Sequence, residues 1–182
     1  KITKLCILHG VKVIVLEKPL TNNIKQAKEI ISLIKRKKVK ILVNHRRRFD
    51  DEIIKLKNKL DKGLIGEIIQ ASSYYVYGLL TTATHSIDTL RYLLSGTAGE
   101  IKEVYGFKNN FKNFSSADDK NYDAILVFRN GLKVTLQSLD IKSYDNFDFY
   151  FYGRKGKILI SDIGRTILKY GVQKSPEHSG FT

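Results

Sequence analysis

Val13-Ile14-Val15-Leu16-Glu17-Lys18-Pro19-Leu20 is an apolar run that ends on a glutamate, a lysine and a proline. Such a run reads as a strand buried on both faces, the pattern of a parallel sheet, and open α/β sheets meet their ligands at the carboxyl ends of their strands. Glu17, Lys18 and Pro19 are therefore the first candidates for chemistry. Taken alone, the tripeptide also reads as a strand leaving for water with Pro19 opening a turn, and that is the commoner situation. The rest of the chain decides between the two.

Outward from this strand the pattern is helix, strand, helix, strand. Ile2 to His9 reads as the last turns of a helix closed by Gly10, and Lys12 to Glu17 as the strand. Thr21 or Asn22 caps a helix whose residues Ile24, Ala27, Ile30, Ile31 and Ile34 share one face, and Val39 to Asn44 is a second apolar strand. Alternation of this kind is that of a doubly wound α/β unit. Asp50, Asp51 and Glu52 then open a helix with Ile53, Leu56 and Leu60 as its buried stripe, ended by Gly63. Gly66 to Tyr77 is a long strand, and His85 to Leu94 a short helix with Ile87, Leu90 and Leu94 on one face.

From Glu100 the pattern changes to strands and tight turns: Ile101 to Asn109, Tyr122 to Arg129, Leu132 to Ile141, Phe147 to Gly153 and Lys157 to Ser161. Asn130-Gly131 is a strong hairpin signal and Arg154-Lys155-Gly156 a second turn. This half is expected to be a large, mostly antiparallel open sheet. The segment 111–120, with Ser115-Ser116 and Asp118-Asp119, reads as a polar loop.

Composition narrows the class. A chain of 182 residues with 42% hydrophobic and 27% charged residues buries a real core. Its one cysteine, Cys6, excludes a disulfide framework and a cysteine-rich zinc site, which fits a reducing, cytoplasmic compartment. No metal site is expected. No apolar run reaches the roughly 20 residues of a membrane span. The chain holds no methionine, so it is expected to begin inside a longer protein. Its net charge of +14 is uneven, with 18 Lys and Arg against 6 Asp and Glu in residues 1–62, and 14 against 12 thereafter. The basic half, with Lys35-Arg36-Lys37-Lys38 and His45-Arg46-Arg47-Arg48, suits an anionic cofactor or substrate, or nucleic acid. Against nucleic acid stand the absence of interleaved aromatic residues and the helical stripe beneath the lysines, which reads as a solvated helix face.

Thr81-Thr82-Ala83-Thr84-His85-Ser86-Ile87-Asp88 sets a histidine at an expected helix start, with an aspartate three residues on. The dipole of that terminus would keep His85 neutral and able to accept a proton. Considered alone, a half-buried histidine with Asp88 as its hydrogen-bond partner is the simpler explanation. Arg46, Arg47 and Arg48 follow a strand end, where a guanidinium can hold a carboxylate or phosphate through two bonds.

In order along the chain, Glu17-Lys18-Pro19-Leu20, Val43-Asn44-His45-Arg46-Arg47-Arg48-Phe49-Asp50, Gly63-Leu64-Ile65-Gly66-Glu67-Ile68, His85 to Asp88 with Arg91-Tyr92-Leu93, and Gly153-Arg154-Lys155-Gly156 resemble the glucose-fructose oxidoreductase, inositol dehydrogenase and MocA family of NAD(P)-dependent enzymes. The resemblance implies residues 1–45 as the C-terminal portion of a Rossmann domain that lacks its glycine-rich fingerprint here, and 46–182 as an α/β substrate and oligomerisation domain, incomplete at its C-terminus. It implies hydride transfer between NAD or NADP and a sugar, polyol or nucleotide sugar. Lys18 and His85 match the family's catalytic lysine and histidine: His85 as base for the hydroxyl proton, Lys18 as a hydrogen bond or proton relay to the substrate oxygen. A cis Lys18–Pro19 bond would aim that lysine sharply. Glu17, Lys18 and Pro19 become candidates for cofactor contact; Arg47, Arg48, Tyr77, Thr81, Thr84 and Asp88 become candidates for substrate contact. The chain departs from the pattern at Thr81, where sugar dehydrogenases of the family often carry an aspartate. Either the substrate class differs or His85 moves the proton alone.

Two further expectations concern function and assembly. A non-catalytic binding or scaffold protein that keeps the family sheet is the competing reading, motivated by Thr81 and the missing phosphate loop. The strands from Ile101 to Ser161 are expected to gather Tyr105, Phe107, Leu126, Phe128, Val134, Leu136, Phe149 and Phe151 on one face, too apolar to be left in water. A homodimer or homotetramer would cover it, as the resemblance also implies.

Overall fold

The computed structural model describes residues 2–111 and 119–173. Most of the expected polar loop, including Ser115, Ser116 and Asp118, lies outside the described residues. The chain divides into two compact units, Lys1–Arg46 and Arg47–Thr182.

The first unit runs α1 (Ile2–Leu8), β1 (Val13–Glu17), α2 (Ile24–Lys37) and β2 (Lys40–Asn44). Strands β1 and β2 pair in parallel, from Val13 opposite Lys40 to Glu17 opposite Asn44. Gly10 ends α1 at φ 84°, with the Val11 N–H donating to the Cys6 carbonyl at 3.0 Å. The cap of α2 is Asn23 rather than Thr21 or Asn22. Its side-chain oxygen accepts from the amides of Lys25 and Gln26 at 2.9 and 3.3 Å, while the Thr21 hydroxyl turns the chain just before it. Three capping residues stand in a row, and only the path of the entering chain selects among them. Ile7 and Ile30, from both helices, pack with Ile14 and Val39. The opposite face of β1 is open, with Val13 and Val15 more than 60% exposed, so the strand expected to be buried on both faces is buried on one. Both helices of the unit serve the same face.

The second unit contains α3 (Asp51–Asp61), β3 (Ile68–Tyr75), α4 (Thr84–Leu94), β4 (Ile101–Lys108), β5 (Tyr122–Phe128), β6 (Lys133–Ser138), β7 (Phe147–Gly153), β8 (Gly156–Ser161) and β9 (Thr166–Gly171). The strands form one seven-stranded sheet in the order β4-β5-β6-β3-β7-β8-β9. It is the expected mixed α/β arrangement with a large, mostly antiparallel sheet; the single parallel pair is β3 with β6, from Ala71 opposite Val134 to Tyr75 opposite Ser138. Asn130-Gly131 makes the β5–β6 turn, with Gly131 at φ 90° and the Asn130 side chain accepting from the Leu132 amide at 2.9 Å. Strand β9 carries no comparable signal in the sequence. It follows Asp162, Ile163 and Gly164, all in left-handed conformation, which an aspartate and an isoleucine give no reason to expect.

Asp50 caps α3 by accepting from Glu52 and Ile53, and the stripe Ile53, Leu56 and Leu60 is buried as its spacing requires. With Leu90, Leu93 and Leu94 of α4, these residues cover Leu126, Phe128, Val134, Phe149, Phe151, Ile158 and Ile160 of the sheet. At about 25 cal/mol per Å² of apolar area removed from water, this layer is the main stabilising element of the fold.

Strand register corrects the expected apolar face. Tyr105 lies opposite Ile125 and Phe107 opposite Asp123, whereas Leu126 lies opposite Val134. Side chains alternate along a strand, so Tyr105 and Phe107 stand on the face away from Leu126, Phe128, Val134, Leu136, Phe149 and Phe151. That second face also carries Tyr74, Tyr150, Tyr152, Leu168 and Tyr170, of which Tyr152, Leu168 and Tyr170 are exposed.

Asp148 sits on this second face opposite Tyr74. Burial raises its carboxyl above the ordinary carboxylate value, and nearby Asp162 adds to the rise against the opposing hydrogen bond from Asn146. A carboxyl raised by folding stabilises fully below its unfolded value of about 3.9 and loses that contribution as pH climbs through the folded value. Asp148→Asn is thus expected to melt above the unsubstituted protein at pH 7, with the difference closing as pH falls below about 4. Thermal unfolding followed at both pH values checks this.

Candidate active site

Everything near His85 is arranged by the way β3 ends. Tyr75, its last residue, is fully buried, and its hydroxyl donates to the Tyr122 carbonyl at 2.7 Å while accepting from the Tyr122 amide at 2.9 Å. Burial pushes the Tyr75 phenol up to about 12. Beyond it Tyr77 and Gly78 take left-handed φ values of 68° and 97°. Glycine tolerates this freely; a tyrosine held there stores about 1–3 kcal/mol, the kind of strain that gathers at functional sites.

A π-turn, Leu79–Ala83, comes next, with the amides of Thr82 and Ala83 both donating to the Gly78 carbonyl at 3.1 Å. It runs without a break into α4, since the Thr84 N–H donates to the Leu79 carbonyl and the Thr84 hydroxyl to the Leu80 carbonyl. The helical run that carries His85 therefore begins at Leu79, a full turn and more before the expected start. The amides of its head that lack an acceptor within the helix belong to Leu79, Leu80 and Thr81, and the dipole argument for His85 shifts with them.

Those amides are met from across the sheet. The Leu79 N–H donates to the Lys120 carbonyl at 3.0 Å. Asp119, buried, accepts from the Leu80 amide at 2.8 Å, the Thr81 amide at 2.9 Å and the Thr81 hydroxyl at 2.7 Å. Sequence reading treats Asp118-Asp119 only as part of a polar loop. The one available signal was a helix head without a local cap, because Gly78 offers no side chain.

Asp88 is joined to Arg48 through both carboxylate oxygens, the Nε bond being 2.9 Å, and the Arg48 guanidinium also lies 5.5 Å from the centre of the Tyr92 ring. The hydrogen bond to Asp88 holds the Arg48 guanidinium above its ordinary value. Arg47 lies 3.9 Å from the centre of the Phe147 ring and donates to the Ile163 carbonyl at 2.7 Å. Both arginines read from sequence as anion contacts thus have partners within the second unit. They brace the chain entering α3 against α4 and β7.

In the first unit, Lys18 comes directly after the end of β1 and its bond to Pro19 is cis. Glu17 accepts from the Asn44 side chain at 2.8 Å, tying the carboxyl ends of the two parallel strands. Among the described residues, no group of three or more His, Cys, Asp or Glu could hold a metal, and no helix is long and apolar enough to cross a membrane.

Comparison with known proteins agrees with this architecture. Residues 76–159 match the GFO/IDH/MocA C-terminal domain. The chain is 25% identical over 179 residues to the oxidoreductase YhhX of Escherichia coli, covering 92% of this chain and 48% of that protein. It is 38% identical over 107 residues to the inositol 2-dehydrogenase/D-chiro-inositol 3-dehydrogenase of Lacticaseibacillus casei, covering 52% of this chain and 31% of the relative. The WlbA dehydrogenase of Bordetella pertussis, solved in complex with NADH and UDP-GlcNAcA, shares the fold with a TM-score of 0.77 at 15% identity, over 96% of this chain and 60% of that one. Residues 76–159 thus carry the likeness to the GFO/IDH/MocA C-terminal domain, and the chain spans less than half the length of these two curated relatives.

Tyr75→Phe keeps the ring and removes both bonds to the half-buried Tyr122 backbone. A loss of about 1–3 kcal/mol is expected in urea unfolding, with the slope unchanged. A variant as stable as the parent would show that the hydroxyl does not hold the end of β3.

Proposed function

We propose that the protein containing this chain is an NAD(P)-dependent oxidoreductase that interconverts a hydroxyl and a carbonyl on a sugar, polyol or nucleotide sugar. The observation that carries the reading is His85 on a helix head secured by Asp119, within the stretch that matches the family domain. The named activity of the Lacticaseibacillus casei relative on inositol, and the NADH and UDP-GlcNAcA in the WlbA complex, support the same cofactor and substrate classes. Residues 1–45 are read as the C-terminal portion of a Rossmann domain and 46–182 as the substrate and oligomerisation domain. The open face of β1, with Val13 and Val15, supports that domain reading, because parallel sheets are ordinarily covered on both faces. A reducing, cytoplasmic setting suits the single cysteine.

The chain fits the nicotinamide half of the cofactor. Two parallel strands end together at Glu17 and Asn44, joined by a hydrogen bond, and Lys18 and Pro19 stand at the edge where dinucleotides bind. The 182 residues contain no G-x-G-x-x-G, so they do not provide the pyrophosphate grip. A bound NAD(P)⁺ would supply the hydride acceptor for the carbinol carbon. In the second unit His85 is the base for the hydroxyl proton, and in the first unit Lys18 is read, from the family resemblance, as a hydrogen-bond donor to a substrate oxygen. Tyr77, Thr81 and Thr84 contact the substrate; Glu17, Lys18 and Pro19 contact the cofactor. Arg48 and Asp88 serve by holding α4 in place, and Arg47 by bracing the chain before α3 against Phe147 and Ile163.

Thr81, which cannot carry a charge, favours a second reading in which the sheet is kept for binding alone. Thermal shift of the full-length protein with NAD⁺, NADH, NADP⁺ and NADPH separates the two, since a ligand that binds only the folded state raises its melting point. Stabilisation by at least one is expected. Lys18→Ala and His85→Ala should each lower kcat at least about 100-fold while the protein stays folded. Unchanged rates in both would remove the catalytic assignment.

Assembly belongs to the same proposal. Tyr105, Phe107, Tyr152, Leu168 and Tyr170 leave the second sheet face too apolar for a lone subunit, and a like face from a second copy would cover it. Light scattering of the full-length protein at micromolar concentration is expected to give a dimer or tetramer mass; a monomer mass would contradict this arrangement.

A further inference from the structure

Residues 119–123 form a strap with an anchor at nearly every position. The Asp119 carboxylate holds Leu80 and Thr81, the Lys120 carbonyl holds Leu79, and the Tyr122 backbone closes on the Tyr75 hydroxyl. Asp123 accepts from the Ser138 amide and hydroxyl at 2.7 and 3.0 Å and from the Asn109 side chain at 3.0 Å. The strap fixes the end of β3 and the adjoining helix head as one piece.

We propose that Asp119 is a positioning residue for the His85 site and that it sets which hydrogen bond Thr81 offers to the substrate. This rests on the oxidoreductase reading above. Two consequences of the geometry carry it. A buried carboxylate accepting two adjacent amides is the N-cap of the run that begins at Leu79, supplied from another part of the chain, and it places negative charge at the positive end of the helix carrying His85. A threonine hydroxyl has one proton, and that of Thr81 goes to Asp119 at 2.7 Å. The Thr81 oxygen then meets a ligand only as an acceptor. The substrate group that fits beside it is a donor, a second hydroxyl of a polyol or sugar, and a bare carbonyl or carboxylate oxygen is disfavoured there. The charge that Thr81 lacks thus stands directly behind it, delivered through a hydroxyl.

The test uses the full-length protein with Asp119→Asn, Thr81→Val, Thr81→Ser and the double variant Asp119→Asn/Thr81→Val. Asp50→Asn serves as control, because Asp50 caps α3 through the same kind of bonds without touching the His85 turn. Asp119→Asn and Thr81→Val are each expected to lower kcat about 100-fold, the cost of a reacting group displaced by about 1 Å. Cofactor affinity should stay unchanged. The double variant should fall no further than the worse single one, since the two residues act as a unit. Asp50→Asn should retain parental kcat, and Thr81→Ser, which keeps the hydroxyl, should lose clearly less than Thr81→Val. Additive losses, or an Asp119→Asn kcat equal to that of Asp50→Asn, would overturn the proposal. Thr81→Val leaves both amide bonds to Asp119 in place, so it carries the test where Asp119→Asn folds poorly. A second readout needs no turnover: the His85 imidazole titration followed by NMR. Its midpoint should drop in Asp119→Asn, where a nearby negative charge is lost, and stay fixed in Asp50→Asn. A midpoint that moves in a protein with no dehydrogenase activity would sink the oxidoreductase reading and leave the positioning role standing. A fixed midpoint in Asp119→Asn would sink the positioning role.

Discussion

Strand β3 is held on both sides in the middle of a seven-stranded sheet, in parallel by β6 and antiparallel by β7, and the rest of the second unit depends on that placement. A central strand cannot shift without breaking two ladders and moving its side chains between faces. Its last residue, Tyr75, is therefore a fixed point. The chain leaves the sheet from that point and reaches His85 ten residues later.

Two kinds of force act on that short stretch. Packing of α3 and α4 over the sheet supplies most of the stability and sets where α4 lies. Polar bonds then set its rotation and its beginning: Arg48 with Asp88 along the helix, and Asp119 with Leu80 and Thr81 at its head. The bonds are worth little in net energy compared with the core, yet leaving a buried partner unmet costs more than the bond contributes. That asymmetry makes the polar set a means of fixing geometry rather than of adding stability. The left-handed Tyr77 and the π-turn show the backbone held away from its relaxed form at the same place.

Much of this was legible from residues alone. The alternation in residues 1–44, the stripe Ile53, Leu56 and Leu60, and the Asn130-Gly131 turn each rest on local rules, and each is seen in the structure. Where the reading failed, the deciding contact was distant in sequence. The head of the His85 helix lacks a local cap because its cap is Asp119, thirty-eight residues beyond Thr81. Arg48 lies just past a strand end, but its partner is Asp88, forty residues on. Tyr105 and Phe107 do not share a face with Leu126 and Phe128 as the sequence suggested, because alternation fixes which residues share a face within one strand and not between strands; that depends on pairing register. Strand β9 comes after an Asp-Ile-Gly bend that no turn preference foretells.

The central claim is that the second unit presents His85 as the base for removing a proton from a hydroxyl whose carbon loses hydride. The most direct measurement is cofactor reduction by the full-length protein, followed by the near-ultraviolet absorbance of reduced nicotinamide. The donors would be polyols, sugars and nucleotide sugars, each compared with the form deuterated at the oxidised carbon. Reduction is predicted with at least one donor, slowed by deuterium and lost in His85→Ala. Reduction that proceeds equally fast with His85 replaced, or binding of nicotinamide cofactors with no reduction by any donor of these classes, would contradict it.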